Sequence, residues 1–309
     1  MKKVFIDGSA GTTGLRIYER LSSRKDIQLL TLTEEKRKDI NARKAALNEA
    51  DIAFLCLPDD AARESASLVS SPDTAVIDTS TAHRVNPNWV YGLPELKGQR
   101  EKITASKRIA NPGCHATGFI ALVAPLVQEG LIKPDTELSC FSLTGYSGGG
   151  KKMIAQYEAD ERDKLFDAPR QYGLTQKHKH LPEMTKLSAL TVPPVFCPIV
   201  APYYAGMEVT VPLRNADAKA VKECYREYYH DGLIYFSDGD DFGEGGFISA
   251  GAFAGRDDLE ITVHGNNERL LLVSRFDNLG KGASGAAIQN MNILLGLEET
   301  AGLNVRRSV

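Results

Sequence analysis

The sequence predicts an α/β protein: a Rossmann-like, doubly wound parallel sheet followed by a second α+β domain built on a mainly antiparallel sheet. Three observations carry this. Short apolar runs alternate with helical stretches through the first third of the chain, a glycine loop stands at the first strand-to-helix junction, and beyond about residue 135 longer strand-like runs follow one another in series. At 309 residues a single core is near its practical limit, so two domains are expected.

The elements follow in order. K-K-V-F-I-D (2–7) reads as a buried strand, G-S-A-G-T-T-G (8–14) as the loop, and L-R-I-Y-E-R-L-S-S as the helix that it opens. I-Q-L-L-T-L (27–32), D-I-A-F-L-C-L (51–57) and T-A-V-I-D (74–78) are further strands, with helices near 41–49 and 59–69. Later come T-E-L-S-C-F-S-L-T-G, the long run P-V-F-C-P-I-V through V-T-V-P-L, and a hairpin over 259–275 that closes at Gly265-Asn266-Asn267-Glu268. The last segment is a Gly/Ala-rich helix over about 282–296, small enough in its side chains to pack closely, back onto the first sheet. Residues 1–114, completed by 280–309, are the expected dinucleotide-binding domain. Residues 115–279 are the expected catalytic, substrate-binding and oligomerisation domain.

Composition narrows the function. A hydrophobic share of 42%, a charged share of 25% and a net charge of −3 are those of an ordinary globular chain without the basic patch that nucleic acid or an anionic membrane requires. The expected partner is a small molecule. Asp7 and Gly8 end the first apolar run too early for a signal peptide, and no run is long enough for a membrane span. Five scattered cysteines (56, 114, 140, 197, 224) without C-x-x-C pairs argue against a disulfide framework or a zinc site, so the expectation is a cytoplasmic protein with no metal.

The glycine loop points to a dinucleotide. Gly8, Gly11 and Gly14, with Ser9, Thr12 and Thr13 between them, place main-chain N–H groups at a helix N-terminus, where a pyrophosphate is favoured by charge and geometry. The spacing is G-x-x-G-x-x-G rather than the commoner G-x-G-x-x-G. At the end of the second strand, Glu34 and Glu35 suit the 2′-hydroxyl of NAD, while Lys36 and Arg37 suit the 2′-phosphate of NADP; the basic run tilts the reading mildly to NADP.

N-P-G-C-H-A-T-G (111–118) puts a thiol between a Pro-Gly turn and an apolar run with helical spacing. The spacing predicts an amphipathic helix starting near 114–117 and kinked or shortened at Pro125. Its free N–H groups and dipole favour a thiolate, but a helix terminus supplies only about 0.3–1 kcal/mol, less than one pKa unit, so Cys114 needs a basic partner. Q-K-H-K-H-L-P-E-M holds the densest histidines, and its Leu-Pro boundary suggests an irregular, ordered loop able to present a side chain. On a strand His178 and His180 would project oppositely, so one of them reaches the thiol, and we take His180. The loop T-G-Y-S-G-G-G-K-K, with Ser147 and Gly148, is a possible cradle for a phosphate or a substrate carbonyl. In D-T-S-T-A-H-R, Arg84 offers a planar fork for a carboxylate.

Together, G-S-A-G-T-T-G, D-T-S-T-A-H-R, N-P-G-C-H-A-T-G, T-G-Y-S-G-G-G-K-K, H-K-H-L-P-E-M and F-D-N-L-G-K-G-A-S-G-A-A-I-Q-N-M-N resemble the short-chain N-acetyl-gamma-glutamyl-phosphate reductases, relatives of the aspartate-semialdehyde dehydrogenases. The resemblance implies NADPH-dependent reduction of an acyl phosphate to an aldehyde in arginine biosynthesis, through a thioester on Cys114, by a homo-oligomer (dimer or tetramer). It matches the family's P-G-C-x-x-T to Pro112–Thr117, and the second histidine of H-x-H-x-P-E to His180 as acid and base. It also implies that Asn278 returns to the cofactor and hydrogen-bonds its carboxamide. Two alternatives stay open: an aspartate-semialdehyde dehydrogenase-like enzyme, and a non-catalytic dinucleotide sensor.

Overall fold

The computed structural model describes residues 1–238 and 246–306; residues 239–245 of the expected second domain and 307–309 of the expected C-terminal segment lie outside the described residues. The chain divides into two compact units, Met1–Pro94 with Gly98–Pro112 and Ala283–Leu303, and Glu95–Lys97 with Gly113–Gly282 and Asn304–Val309.

The first unit runs β1 (Lys2–Asp7), α1 (Thr12–Ser22), β2 (Ile27–Leu30), α2 (Ile40–Glu49), β3 (Ile52–Leu55), α3 (Asp59–Leu68), β4 (Ala75–Asp78), β5 (Val90–Tyr91), α4 (Gln99–Thr104) and β6 (Arg108–Ala110). The second runs α5 (Cys114–Gln128), β7 (Ser139–Gly145), α6 (Gly150–Tyr157), β8 (Arg170–Gln171), α7 (Leu181–Leu187), β9 (Val195–Ala201), β10 (Met207–Arg214), α8 (Ala218–Tyr228), β11 (Ile234–Phe236), β12 (Leu259–Asn266) and β13 (Arg269–Phe276). The chain then returns to the first unit with α9 (Gly285–Leu294).

The first sheet has the order β2-β1-β3-β4-β6-β5, and every pair is parallel. Its strands are buried on both faces, which is why β3 reads as an unbroken apolar run rather than an alternating one. On one face Val4, Ile6, Phe54 and Ile77 pack with Ile17 and Leu21 of α1, Ile103 of α4, and Ile288 and Met291 of α9. On the other, Phe5, Ala53, Leu55 and Val76 meet Ala46 and Leu47 of α2. Helices on both faces make the sheet doubly wound, as predicted. Parallel order also leaves the strand C-termini and the loops after β1 and β4 at one end, where α/β sheets bind ligands.

The second sheet has the order β11-β12-β13-β10-β7-β9-β8. Four pairs are antiparallel and two, β11 with β12 and β7 with β9, are parallel, so it is mixed but mainly antiparallel. The register sets Val195, Cys197, Phe141, Thr210 and Leu271 on one face, of which Phe141, Val195 and Leu271 are 42%, 57% and 45% exposed.

The helix α5 departs from expectation twice. It is not amphipathic: from His115 to Leu126 every residue is buried, so it threads the core of its unit instead of lying on it. Nor does Pro125 shorten it; the helix continues to Gln128. Proline has no N–H for the carbonyl four residues back, and here that carbonyl, Ala121 O, accepts from the hydroxyl of Tyr229 at 2.8 Å. Its neighbour Leu122 O accepts from the hydroxyl of Tyr225 at 2.5 Å. Two buried tyrosines at the end of α8 thus satisfy the turn that Pro125 disturbs.

Candidate active site

Cys114 is the first residue of α5, with Gly113 as the N-cap and no side-chain cap. The first-turn N–H groups therefore have no carboxylate or hydroxyl from the cap on them, and they surround the sulfur's residue. Cys114 is half-buried, unlike Cys140 and Cys224, which are buried. Burial pushes the Cys224 thiol up to about 11, the ordinary behaviour of a packed sulfur. A Cβ placed on Gly282 would come within 2.9 Å of the Cβ of Cys114, so the main chain at 282 closes one side of the residue and only glycine fits there.

The histidine segment reaches the same turn. His180 caps α7, with Pro182 in its first turn, and is 5% exposed. Its Nε2 stands 4.0 Å from Oε1 of Glu183, and Oε2 of Glu183 accepts from the main-chain N–H of Gly113 at 3.2 Å. The carboxylate therefore links the cap of α5 to the turn that carries His180. The expectation that His178 and His180 project oppositely fails, because residues 178–181 form a turn rather than a strand, closed by Leu181 N–H to His178 O at 3.0 Å. Both rings lie on one side, 4.7 Å apart and 5.8 and 5.5 Å from the ring of His115. Nδ1 of His178 accepts from the His180 main-chain N–H at 3.2 Å, which holds His178 as an acceptor.

His115 is the centre of this cluster. Its Nδ1 lies 2.7 Å from Ser142 Oγ and its Nε2 2.7 Å from the hydroxyl of Tyr172, with Phe196 edge-on at 5.3 Å. Burial first, and then the neighbouring His178, push its pKa from the usual 6.5 down to about 3, so the imidazole is neutral.

The expected cradle is more rigid than a flexible glycine turn. Ser147 is buried, and its Oγ accepts from Nδ2 of Asn278 at 3.0 Å, while Oδ1 of Asn278 accepts from Gly206 N–H at 3.0 Å. Gly148 lies against the same amide. Asn278 is thus placed beside Ser147 and Gly148, with its oxygen and one of its amide hydrogens engaged within the second unit.

In the first unit, the loop after β1 is drawn as the sequence suggests. Gly8 has φ +88°, and a Cβ there would fall 2.3 Å from Cys56 O, so the position requires glycine. Gly11 caps α1 with no side-chain hydrogen bond and no acid in the first turn; Thr12 and Thr13 open the helix and Gly14 is buried beneath the loop. A cavity of about 660 Å³ adjoins it, lined by Gly8, Ser9 and Ala10 on one side and by Arg37, Lys38 and Arg43 on another. Arg43 is neutralised by Asp7 at 2.9 Å, whereas Glu34 and Glu35, which precede the two basic residues in the same turn, are not among the cavity's lining. An uncapped helix N-terminus beside two cations fits a dinucleotide with an additional phosphate. Arg84 is turned inward: its Nε donates to Asn111 O at 3.0 Å and its Nη2 to Thr79 O at 3.2 Å.

Two family models match in succession: the semialdehyde dehydrogenase NAD binding domain over residues 3–106, and the semialdehyde dehydrogenase dimerisation domain over residues 114–278. The chain belongs to the semialdehyde dehydrogenase family. Within it, the chain is 44% identical to the N-acetyl-gamma-glutamyl-phosphate reductase 2 of Nostoc sp., over 97% of this chain and 99% of that one. It is 43% identical to the protein of the same name from Pseudomonas putida, over 97% and 98%. The resemblance read from the motifs is borne out. Among solved structures, the aspartate semialdehyde dehydrogenase of Francisella tularensis superposes with a TM-score of 0.71 at 14% identity, over 96% of this chain and 100% of that one, a likeness of fold.

For this member of the semialdehyde dehydrogenase family, the motifs located the residue at the helix mouth and the histidine segment. They gave no role to His115, Glu183 or Tyr172. The first two were in view, beside Cys114 and inside H-K-H-L-P-E-M. Tyr172 had no local signal, because it is brought in by the pairing of β8 with β9 and by its N–H to Pro198 O at 3.0 Å. The Asp78–His83 pair, Nδ1 to Oδ2 at 2.7 Å with the ring stacked on Trp89, was also missed; it stabilises the D-T-S-T-A-H-R loop.

Proposed function

We propose that the chain reduces N-acetyl-gamma-glutamyl phosphate to N-acetylglutamate 5-semialdehyde, with release of phosphate, as an NADPH-dependent enzyme of arginine biosynthesis. The observation that carries the reading is the single turn at Gly113–Cys114, where a half-buried thiol, an uncapped helix N-terminus and the Glu183 carboxylate facing His180 converge. The names of the end-to-end relatives supply the substrate.

On this reading Cys114 attacks the acyl carbon as the thiolate; a C–S bond forms, the C–O bond to phosphate breaks, and phosphate departs with the electron pair. The first-turn N–H groups of α5 hold the charge that builds on the carbonyl oxygen, a contribution that reaches roughly 2.7–4 kcal/mol for a well-placed donor. When bound, the reduced nicotinamide supplies the hydride that takes the acyl carbon to the aldehyde level. His180 holds the proton that the thiol gives up and returns one as the sulfur leaves, and Glu183 fixes both the imidazole and the cap. Ser147 and Gly148 contact the substrate, and Asn278 sets their loop and presents its amide to the nicotinamide carboxamide. Arg84, anchored on Asn111 O, braces the segment that leads into Cys114. The loop Gly8–Gly14 holds the pyrophosphate, with Arg37 and Lys38 on the 2′-phosphate. Subunits pair through the sheet face that exposes Phe141, Val195 and Leu271, in a homo-oligomer. Among the described residues no helix is long and apolar enough to cross a membrane.

The test is phosphate-dependent NADP reduction with N-acetylglutamate semialdehyde and with aspartate semialdehyde, followed by acyl trapping and peptide mapping. The expected outcome is turnover with the acetylated aldehyde, label on Cys114, and loss of both in Cys114→Ser. Preference for aspartate semialdehyde rejects the substrate. Absence of turnover with retained cofactor binding favours a dinucleotide sensor.

A further inference from the structure

Lys281 and Glu95 form a buried ion pair that the proposed reaction does not use. Nζ of Lys281 lies 2.6 Å from Oε1 of Glu95, and the two side chains are 0% and 1% exposed. The same Oε1 accepts from the main-chain N–H of Leu233 at 3.3 Å, and a Cβ on Gly232, whose φ is +103°, would fall 3.2 Å from Cγ of Glu95. Glu95 is therefore seated against the chain that enters β11. Taking an ammonium and a carboxylate out of water costs about as much as their attraction returns, so such a pair adds little stability over an apolar pair of the same volume. What it does supply is a fixed place for the chain that carries each charge.

For Lys281 that chain is the turn Gly280–Ser284. It is wider than an α-helical turn: the N–H of Gly282 donates to Asp277 O, five residues back, at 3.0 Å. Asp277 holds the start of the turn, its Oδ1 accepting from the N–H groups of Leu279 and Gly280 at 2.6 and 3.1 Å. Gly280 is pressed so close to Arg256 O that a Cβ would fall 1.9 Å from it. Lys281 holds the middle. The next residue is Gly282, where a Cβ would meet the Cβ of Cys114 at 2.9 Å. Glu95, Leu233, Lys281, Gly282 and Cys114 all belong to the second unit. We propose that Lys281 and Glu95 are positioning residues for the nucleophile: their buried pair holds the turn where the main chain of Gly282 walls Cys114, and so fixes the side from which the sulfur is approached.

The inference rests on the reading of Cys114 as the nucleophile, but its main test needs neither substrate nor cofactor. In the full chain, the peptide carrying Cys114 is followed by mass spectrometry during alkylation by iodoacetamide, which is small, and by N-phenylmaleimide, which is bulky. Both reagents consume the thiolate, so the ratio of the two rates cancels its ionisation and reads access. Lys281→Met with Glu95→Gln removes both charges at nearly constant volume and is expected to keep the native urea midpoint. The maleimide-to-iodoacetamide ratio is expected to rise several-fold, because the wall is released. In phosphate-dependent NADP reduction with N-acetylglutamate semialdehyde, kcat is expected to fall about ten- to a hundredfold with KM little changed, the mark of a displaced reacting group. Glu95→Asp keeps both charges but shortens the reach, and is expected to move the ratio the same way by less. An unchanged ratio in the double variant or, should that variant not fold, in Glu95→Asp overturns the proposal and leaves the pair merely structural. A raised ratio with native kcat overturns the part in catalysis. Failure of the native chain to turn over the acetylated aldehyde, with the ratio shifted as stated, rejects the substrate and leaves the positioning pair in place.

Discussion

Replacing Tyr229 by phenylalanine tests how a proline is carried inside a buried helix. The ring stays, so no cavity opens; what is lost is the hydroxyl that meets Ala121 O at 2.8 Å. Ala121 is fully buried, and Pro125 has no N–H to offer it, so the carbonyl is left without a donor. An unsatisfied buried acceptor costs about 1–3 kcal/mol. In a unit of this size each kcal/mol lowers the unfolding temperature by about 2–4 °C, so Tyr229→Phe is expected to melt roughly 5 °C lower. The decisive comparison is a double-mutant cycle with Pro125→Ala, which returns an N–H to the helix at the right place. In that background the same tyrosine change is expected to cost little, because the main chain itself now serves Ala121. Equal losses in the two backgrounds, measured by urea midpoints at constant slope, would show that the hydroxyl is not compensating for the proline.

Two further outcomes follow from charge. Arg37→Ala with Lys38→Ala removes both cations from the first-unit cavity without touching the glycine loop. The ratio of kcat/KM for NADPH over NADH is expected to fall about tenfold, from the loss of exposed contacts to a phosphate, and an unchanged ratio would place the 2′-phosphate elsewhere. His115 sets an acid limit on stability. Its folded pKa of about 3 lies below the unfolded 6.5, so its neutral form stabilises the fold fully above 6.5, and that contribution is lost as the pH falls. The slope is on the order of 1.4 kcal/mol per pH unit between roughly pH 5.5 and 4. Urea midpoints across that interval are expected to fall less steeply in His115→Gln than in the native chain; parallel slopes would mean that His115 accepts a proton when folded.

What was legible in the sequence depended on range. The strands β1, β3 and β4 were visible because a parallel strand buried on both faces is a short apolar run, and the glycine loop marked where the first of them meets α1. The hairpin β12–β13 was visible because its turn residues sit between two such runs. The spacing after Cys114 predicts the helix but not its burial: the apolar positions imply one face, whereas Ala116, Gly118 and Ala121 between them are small residues packed in the core. The Leu181-Pro182 boundary marks the histidine segment as an irregular loop, which it is, but strand geometry is the wrong guide to how two histidines project from a turn at 178–181. Tyr172 and Ser142 were out of reach because their roles arise from partners met only through sheet pairing.

The helix α9 completes the first unit's core from the far end of the chain. During synthesis, Val4, Ile6, Phe54 and Ile77 have one side without Ile288 and Met291 until residues 113–282 have been made, an interval on the order of ten seconds at ordinary translation rates. Over that interval the ribosome holds a half-covered sheet. Fragments that stop before α9 are therefore expected to need chaperones or to precipitate, and a nonsense mutation anywhere ahead of residue 285 to behave as a loss of the first unit as well.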